Sequence, residues 1–352
     1  MPAPPSVDEA RSVLAAWDLE GARVEAIRTG HINGTFRVVD DAGHTSGVLQ
    51  SLAPIFAPEV NEDIAQVTAH LASRGVETPR IVPCATGRCG HEAHGRVWRV
   101  LTWVEGRTHT TVSSPDMAFE AGRALGRFHR GLADYREPFR ARRLGVHDTP
   151  AHLAGLRNAL EQHPEHALFP AVEPSARAIL ELAGELPPLP QTPERVVHGD
   201  PKISNLIFHP EPPLRARAWV DLDTVGRMRL PLELGDAFRS WCNRADEDQL
   251  ADFELSLFEG AVRGYAEAAP DDLRPEERDA IVDATAWISL ELAARFCRDA
   301  LEESYFGWDD TRFDRPGSHH LSRTQGQLAL HRAIRAQAGG ARRTVAEAFR
   351  GR

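Results

Sequence analysis

Apolar residues recur at helical spacing over residues 7–17, where Val7, Ala10, Leu14 and Trp17 share one side behind a Ser6 N-cap. The runs at 24–27, 35–39 and 46–52 read instead as strands, separated by turn formers such as Gly30-His31-Ile32-Asn33-Gly34. Helical spacing returns over 60–73 and stops near Gly75, and further strands are predicted at 81–82 and 97–104. Strands with one inserted helix make the pattern of a small α+β lobe. Beyond about Gly106 the pattern changes. Phe119, Leu125, Phe128 and Leu132 lay an apolar stripe along a helix over 117–132, and helices follow at 151–160, 176–186, 254–268 and 276–301. Short apolar strands at 195–197, 205–208 and 218–220 interrupt them, and the Pro-rich stretch 187–193 is the clearest linker-like segment. The fold class expected is therefore α+β and bilobal: a small β-rich lobe over residues 1–105 and a larger, mainly helical lobe over 106–352.

Composition narrows the function without naming it. A 42% hydrophobic, 26% charged chain is ordinary for a globular protein. No apolar run approaches the roughly 18 residues of a membrane span. The opening MPAPPSVDEA lacks the basic and apolar regions of a secretory signal, so a cytoplasmic protein is expected. A formal charge of −10 argues against nucleic-acid or anionic-membrane partners and leaves a small-molecule substrate, handled by a monomer or homodimer. Cys84, Cys89, Cys242 and Cys297 are too scattered for a disulfide framework. Cys84, Cys89, His91 and His94 are zinc-ligand types, but they crowd a short Gly-containing turn, and a hairpin tip is the simpler reading.

The candidate chemistry sits at V-V-H-G-D-P-K-I-S-N-L-I-F, residues 196–208, followed by W-V-D-L-D-T, residues 219–224. Phosphoryl transfer needs little covalent help and much placed charge. Asp200 can take or orient a hydroxyl proton, Lys202 can face the transferred phosphate, and Asn205 and Asp221 are hard oxygen ligands suited to Mg²⁺. His198 reads as a packed, hydrogen-bonded residue that shapes the loop. No G-x-S-x-G elbow, H-E-x-x-H helix or Walker A signature competes with this reading.

HGDPKISN and VDLDT resemble the aminoglycoside phosphotransferase and choline-kinase-like superfamily, which shares the protein-kinase fold. Within it, Gly30-His31-Ile32-Asn33-Gly34-Thr35-Phe36, L-E-L-G-D-A-F-R at 232–239, A-R-F-C-R-D-A-L-E at 294–302 and the region of Arg323 look like bacterial N-acetylhexosamine 1-kinases. The resemblance implies ATP and Mg²⁺ as cofactors, Asp200 as catalytic base, Asn205 and Asp221 as metal ligands, and Thr224, Arg295 and Arg323 toward the sugar. It implies transfer of the γ-phosphate to a hydroxyl, the anomeric one, of an N-acetylhexosamine or related amino sugar. Gly30, His31, Asn33 and Thr35 would cover the nucleotide phosphates, and Trp103 and Val104 would meet adenine at the connection between lobes.

One position departs from the usual kinase pattern. Gln50 stands on the third strand where a lysine or arginine normally holds the α/β-phosphates, so the phosphate anchor is left open. Either Glu233 or Asp236 could brace the catalytic loop, and for Arg295 an ion pair with Asp299 on the same helix face competes with a substrate role. His319-His320 reads as a sugar-facing or exposed loop. Two alternatives stay open. Acidic Glu302, Glu303, Asp309 and Asp310 could serve a cationic acceptor such as an aminoglycoside or choline, homoserine being a further small alcohol, while Gln50 is the one feature favouring an inactive nucleotide-binding protein.

Overall fold

Ser6 opens the first helix, α1 (Val7–Ser12), in a capping box: its hydroxyl accepts from Glu9 N while the Glu9 carboxylate accepts from Ser6 N. The helix predicted over 7–17 is cut short, because Val13–Trp17 tightens into a 3₁₀ turn that ends on left-handed Asp18. The computed structural model describes residues 4–27, 33–141, 146–250 and 252–351.

Strands β1 (Arg23–Ala26), β2 (Gly34–Val39) and β3 (Thr45–Ser51) form an antiparallel meander. Helix α2 (Val60–Ser73) follows, then β4 (Ile81–Val82), β5 (His91–Ala93) and β6 (Arg96–Leu101). The sheet runs β1-β2-β3-β6-β4, with β5 also paired to β6. Phe36, Val38, Leu49, Trp98 and Val100 alternate inward and close over Ala10, Leu14 and Trp17 as one core. Helix α2 does not join that core. Its stripe of Val60, Ile64, Val67 and Leu71 is buried in the larger core, with the helices that follow.

Ser114 caps α3 (Pro115–Gly131) by accepting from Met117 N, and α4 (Thr149–Gln162) and α5 (Phe169–Glu185) come next. Short strands β7 (Glu194–Val197), β8 (Leu206–Phe208), β9 (Ala216–Trp219) and β10 (Gly226–Arg229) pair as β7 with β10 and β8 with β9. Five helices finish the chain: α6 (Leu230–Trp241), α7 (Leu255–Ala268), α8 (Pro275–Asp279), α9 (Ile281–Glu302) and α10 (Pro316–Ala348). Helix α9 is central, lying against α4, α5, α6 and α10. The small antiparallel lobe and larger helical lobe match the expected fold class.

Three expectations are corrected. The helix predicted over 276–301 breaks at Ala280 into α8 and α9. The strand predicted over 97–104 stops at Leu101, where its pairing to β3 and β4 ends. His319 and His320 are not in an exposed loop: both are buried in the first turns of α10, against Phe313 and Phe296 respectively.

Helices α3 and α7 approach closely enough to require glycine. A Cβ on Gly264 would lie 1.9 Å from Phe119 O, and one on Gly122 would lie 2.0 Å from Ala261 O. Both obstacles are backbone, which cannot rotate away. Gly264→Ala is expected to destabilise the protein by about 1–3 kcal/mol, as overpacking in a close-packed core does. Urea unfolding checks this, and an unchanged midpoint would show that the helices separate without cost.

Candidate active site

The strand β7 delivers His198, Gly199 and Asp200 to a turn held from below. Glu233, in the first turn of α6 and 1% exposed, accepts from His198 N at 2.9 Å and Gly199 N at 3.0 Å. His198 Nε2 lies 2.9 Å from Val220 O, and the ring packs between Phe128 and Trp219. It shapes the loop, as its sequence context predicts. Gly199 has φ +83°, and a Cβ there would meet Thr224 O at 2.3 Å, so only glycine fits. Trp241 Nε1 donates to Pro201 O at 2.8 Å and fixes the far side of the turn.

Asp200 therefore emerges at a fixed place, its side chain 31% exposed. Lys202 Nζ donates to Asp200 Oδ2 at 2.7 Å, and Asn205 Nδ2 donates to the same oxygen at 3.1 Å and to Asp200 O at 2.9 Å. Burial pulls the Lys202 pKa down, but the charges of Asp200, Asp221 and Asp236 outweigh it and hold the ammonium above its usual value. Asn205 Oδ1 has no protein donor among the described residues. Asp221 leads out of β9 in a left-handed conformation, φ 61°. Burial first, then the neighbouring Asp223 charge, raises its pKa, while Lys202 opposes them. A crowded carboxylate beside a free amide oxygen is a site short of positive charge. Among the described residues no three His, Cys, Asp or Glu side chains converge on one point. Two protein oxygens completed by water and phosphate are the way Mg²⁺ is commonly held, so the donor set fits.

Residues 23–270 match the sequence pattern described as the phosphotransferase enzyme family, APH. The chain belongs to that family. It is a small-molecule kinase, an enzyme that transfers a phosphoryl group to an alcohol. Solved structures of similar fold include a microcompartment-associated aminopropanol kinase (TM-score 0.63, 15% identity, 96% of this chain and 98% of that one). Others are an amicoumacin kinase in complex with AMP-PNP, Ca²⁺ and Ami (0.59, 14%, 87% and 87%) and a choline/ethanolamine kinase family protein from Mesorhizobium loti (0.57, 19%, 98% and 99%).

Around this phosphotransferase's candidate catalytic turn the other predicted residues divide. Gly30 and His31 lie outside the described residues. Asn33 spans the lobes, accepting from Ala53 N at 2.9 Å and donating to Asp223 Oδ2 at 2.6 Å. Thr35 accepts from Gln50 Nε2 at 3.3 Å. Trp103 and Val104 lie in the connection after β6, and Trp103 Nε1 donates to Glu105. The Thr224 hydroxyl donates to His198 O at 2.9 Å, so it braces that turn.

Arg295 is not paired with Asp299, which accepts the backbone N–H groups of Ser304, Tyr305 and Phe306 instead. Its half-buried guanidinium lies over the Tyr305 and Phe306 rings and makes no hydrogen bond or ion pair with a described residue. It is nonetheless close enough to the buried Asp236–Arg239 pair to help hold the Asp236 pKa down, against burial and behind Arg239 and His147. Arg323 lies over Phe296 and donates to Gly307 O at 2.8 Å, tying the loop after α9 to α10.

The residue that sequence reasoning missed is Arg99 on β6, directly opposite Gln50 in the register with β3. It is 1% exposed and forms a two-pronged ion pair with Asp223. Its only sequence signal is a charge between Trp98 and Val100, which reads equally as an outward-facing strand position. The Cys/His cluster separates as the hairpin reading requires: Cys84 contacts Thr86, His94 meets Ser12, and His91 packs on Trp17.

Proposed function

We propose that this enzyme phosphorylates a neutral amino sugar, an N-acetylhexosamine, at its anomeric hydroxyl, with ATP as donor and Mg²⁺ as metal. The observation that carries the acceptor class is Arg295: an aromatic-backed guanidinium with no hydrogen bond or ion pair among the described residues, close enough to Asp236 to act on its pKa, repels cations and donates to hydroxyl or acetamido oxygens. Of the four acidic residues that could serve a cationic acceptor, three are engaged and the fourth, Asp310, is exposed. Glu302 pairs with Arg298, Glu303 pairs with Arg315, and Asp309 accepts from Thr311.

In this reading ATP supplies the phosphoryl group, and the metal offsets the charge that gathers on it. Asp200, with one carboxylate oxygen held by Lys202 and Asn205, uses the other to orient the acceptor hydroxyl and take its proton. Lys202 places positive charge beside the incoming phosphate. Asn205 Oδ1 and Asp221 would hold the metal, and Arg295 with Arg323 would set the sugar's orientation.

ADP release over a panel of N-acetylhexosamines, neutral sugars, aminoglycosides, choline and homoserine tests the proposal. Turnover confined to N-acetylhexosamines is expected. Turnover on choline or aminoglycosides instead overturns the acceptor class, and ATP binding without any turnover points to an inactive nucleotide-binding protein. Arg295→Met should raise KM for the sugar by about 10- to 100-fold, the loss of one charged hydrogen bond, with KM for ATP little changed.

A further inference from the structure

The missing strand lysine leaves the enzyme needing another cation between its lobes, and the hydrogen bonding of Arg99 shows what that cation does. A guanidinium has five N–H donors. Arg99 Nε and Nη2 donate to Gln50 Oε1 at 2.9 and 2.6 Å. Nη1 donates to Asn61 Oδ1 at 3.1 Å and to Asp223 Oδ1 at 2.5 Å, and Nη2 also reaches Asp223 Oδ2 at 2.9 Å. All five donors are spent on protein, so none is left for a phosphate. A lysine on β3 would be a point charge aimed at nucleotide; Arg99 is a planar fork aimed at a carboxylate.

Arg99 and the three groups that it joins sit on four separate elements. Gln50 lies on β3, Asn61 in the first turn of α2, Arg99 on β6, and Asp223 in the 3₁₀ turn Leu222–Thr224 that follows Asp221. Asn33, the residue before β2, adds a third hydrogen bond to Asp223. Asp223 is thus gripped from the small lobe through both of its oxygens, two residues from the left-handed Asp221. The next residue, Thr224, donates to the carbonyl of His198 on the catalytic turn. A single buried cation therefore fixes the backbone that carries both the candidate metal ligand and the support of the catalytic base.

We infer that Arg99 is the positioning residue that replaces the strand lysine, acting through Asp223 to hold Asp221 in place for the metal rather than by touching phosphate. The inference rests on the reading of Asp221 as a metal ligand. Gln50, which taken alone suggests a defective kinase, becomes the acceptor that orients this cation.

Calorimetric titration with ATP, in the presence and absence of Mg²⁺, tests the inference on the full chain without any need for an acceptor. The proteins are wild type, Arg99→Lys, Arg99→Met, Asp223→Asn and the Arg99→Met/Asp223→Asn double variant, each with its thermal melt recorded. Loss of a residue that orients a metal ligand typically weakens metal binding by about 10- to 100-fold. Arg99→Met is expected to lose that much of the Mg²⁺-dependent gain in ATP affinity while keeping its metal-free affinity. Asp223→Asn should do the same, and the double variant should be no worse than either single change. Arg99→Lys, which keeps the charge and the fold if Arg99→Met does not, should recover part of the gain. An equal loss of metal-free ATP affinity would mean direct phosphate contact, and additive losses would mean independent roles; either overturns the inference. So does an unchanged metal dependence in both Arg99 variants. A wild type that binds no ATP in either condition overturns the nucleotide site itself, and this inference with it.

Discussion

Asp200→Asn lowers kcat by about 10²- to 10⁴-fold, the usual worth of a positioned general base, and leaves ATP binding nearly intact. The substitution keeps the shape of the side chain, so Asn205 can still donate to the remaining oxygen and to Asp200 O. What it removes is the one group on the catalytic turn that can accept a proton from the substrate hydroxyl. It also removes the negative charge that, ahead of Asp221 and Asp236, holds the Lys202 pKa above its usual value. Asp221 and Asp236 still hold the Lys202 ammonium against the pull of burial. The loss is therefore expected to fall on proton transfer. Single-turnover ADP formation together with ATP titration separates the two. Turnover near wild type would take the base role from Asp200.

Glu233→Ala is expected to cost about 2–6 kcal/mol of stability, because it strands two buried backbone donors at about 1–3 kcal/mol each. Those donors, His198 N and Gly199 N, lie directly before Asp200, the proposed base. Since whole domains are stable by only about 5–15 kcal/mol, this is a large share. Glu233→Gln keeps one acceptor oxygen and should fall between the two, losing activity before it loses its fold. Guanidinium denaturation of the three proteins measures the order. Equal midpoints for wild type and Glu233→Ala would show that the turn is held by Thr224 and Trp241 instead.

How far the sequence was legible depended on whether a feature is local. That Asp200, Lys202 and Asn205 meet could be read because they fall within six residues of one turn. Strands β2 and β3 alternate up to the register shift at Val38 and Val39, since one face of their sheet is buried. Helix α6 does not: residues 230–238 are all buried, so no polar face marks a period. Helix α10 is hidden for a different reason, its buried positions being largely Gly, Ala, His, Thr and Gln rather than a stripe of large apolar residues. Arg99 depends on partners 38, 49 and 124 residues away. Nothing beside it in the chain distinguishes it from an exposed strand arginine. The choice between Glu233 and Asp236 was open for the same reason, since it turns on which side of α6 faces the catalytic turn.

The placement of α2 bears on how this protein can be dissected. By chain order the helix belongs to the first 105 residues, yet Val60, Ile64, Val67 and Leu71 are roofed by side chains that come later. A fragment ending at that boundary would carry the whole stripe bare into water, a contiguous apolar patch of the kind that promotes aggregation. The remaining fragment would keep a matching hollow in its own interior. The boundary that looks natural for truncation or domain exchange therefore cuts through a shared interior, and a workable cut has to leave α2 with the helices that cover it.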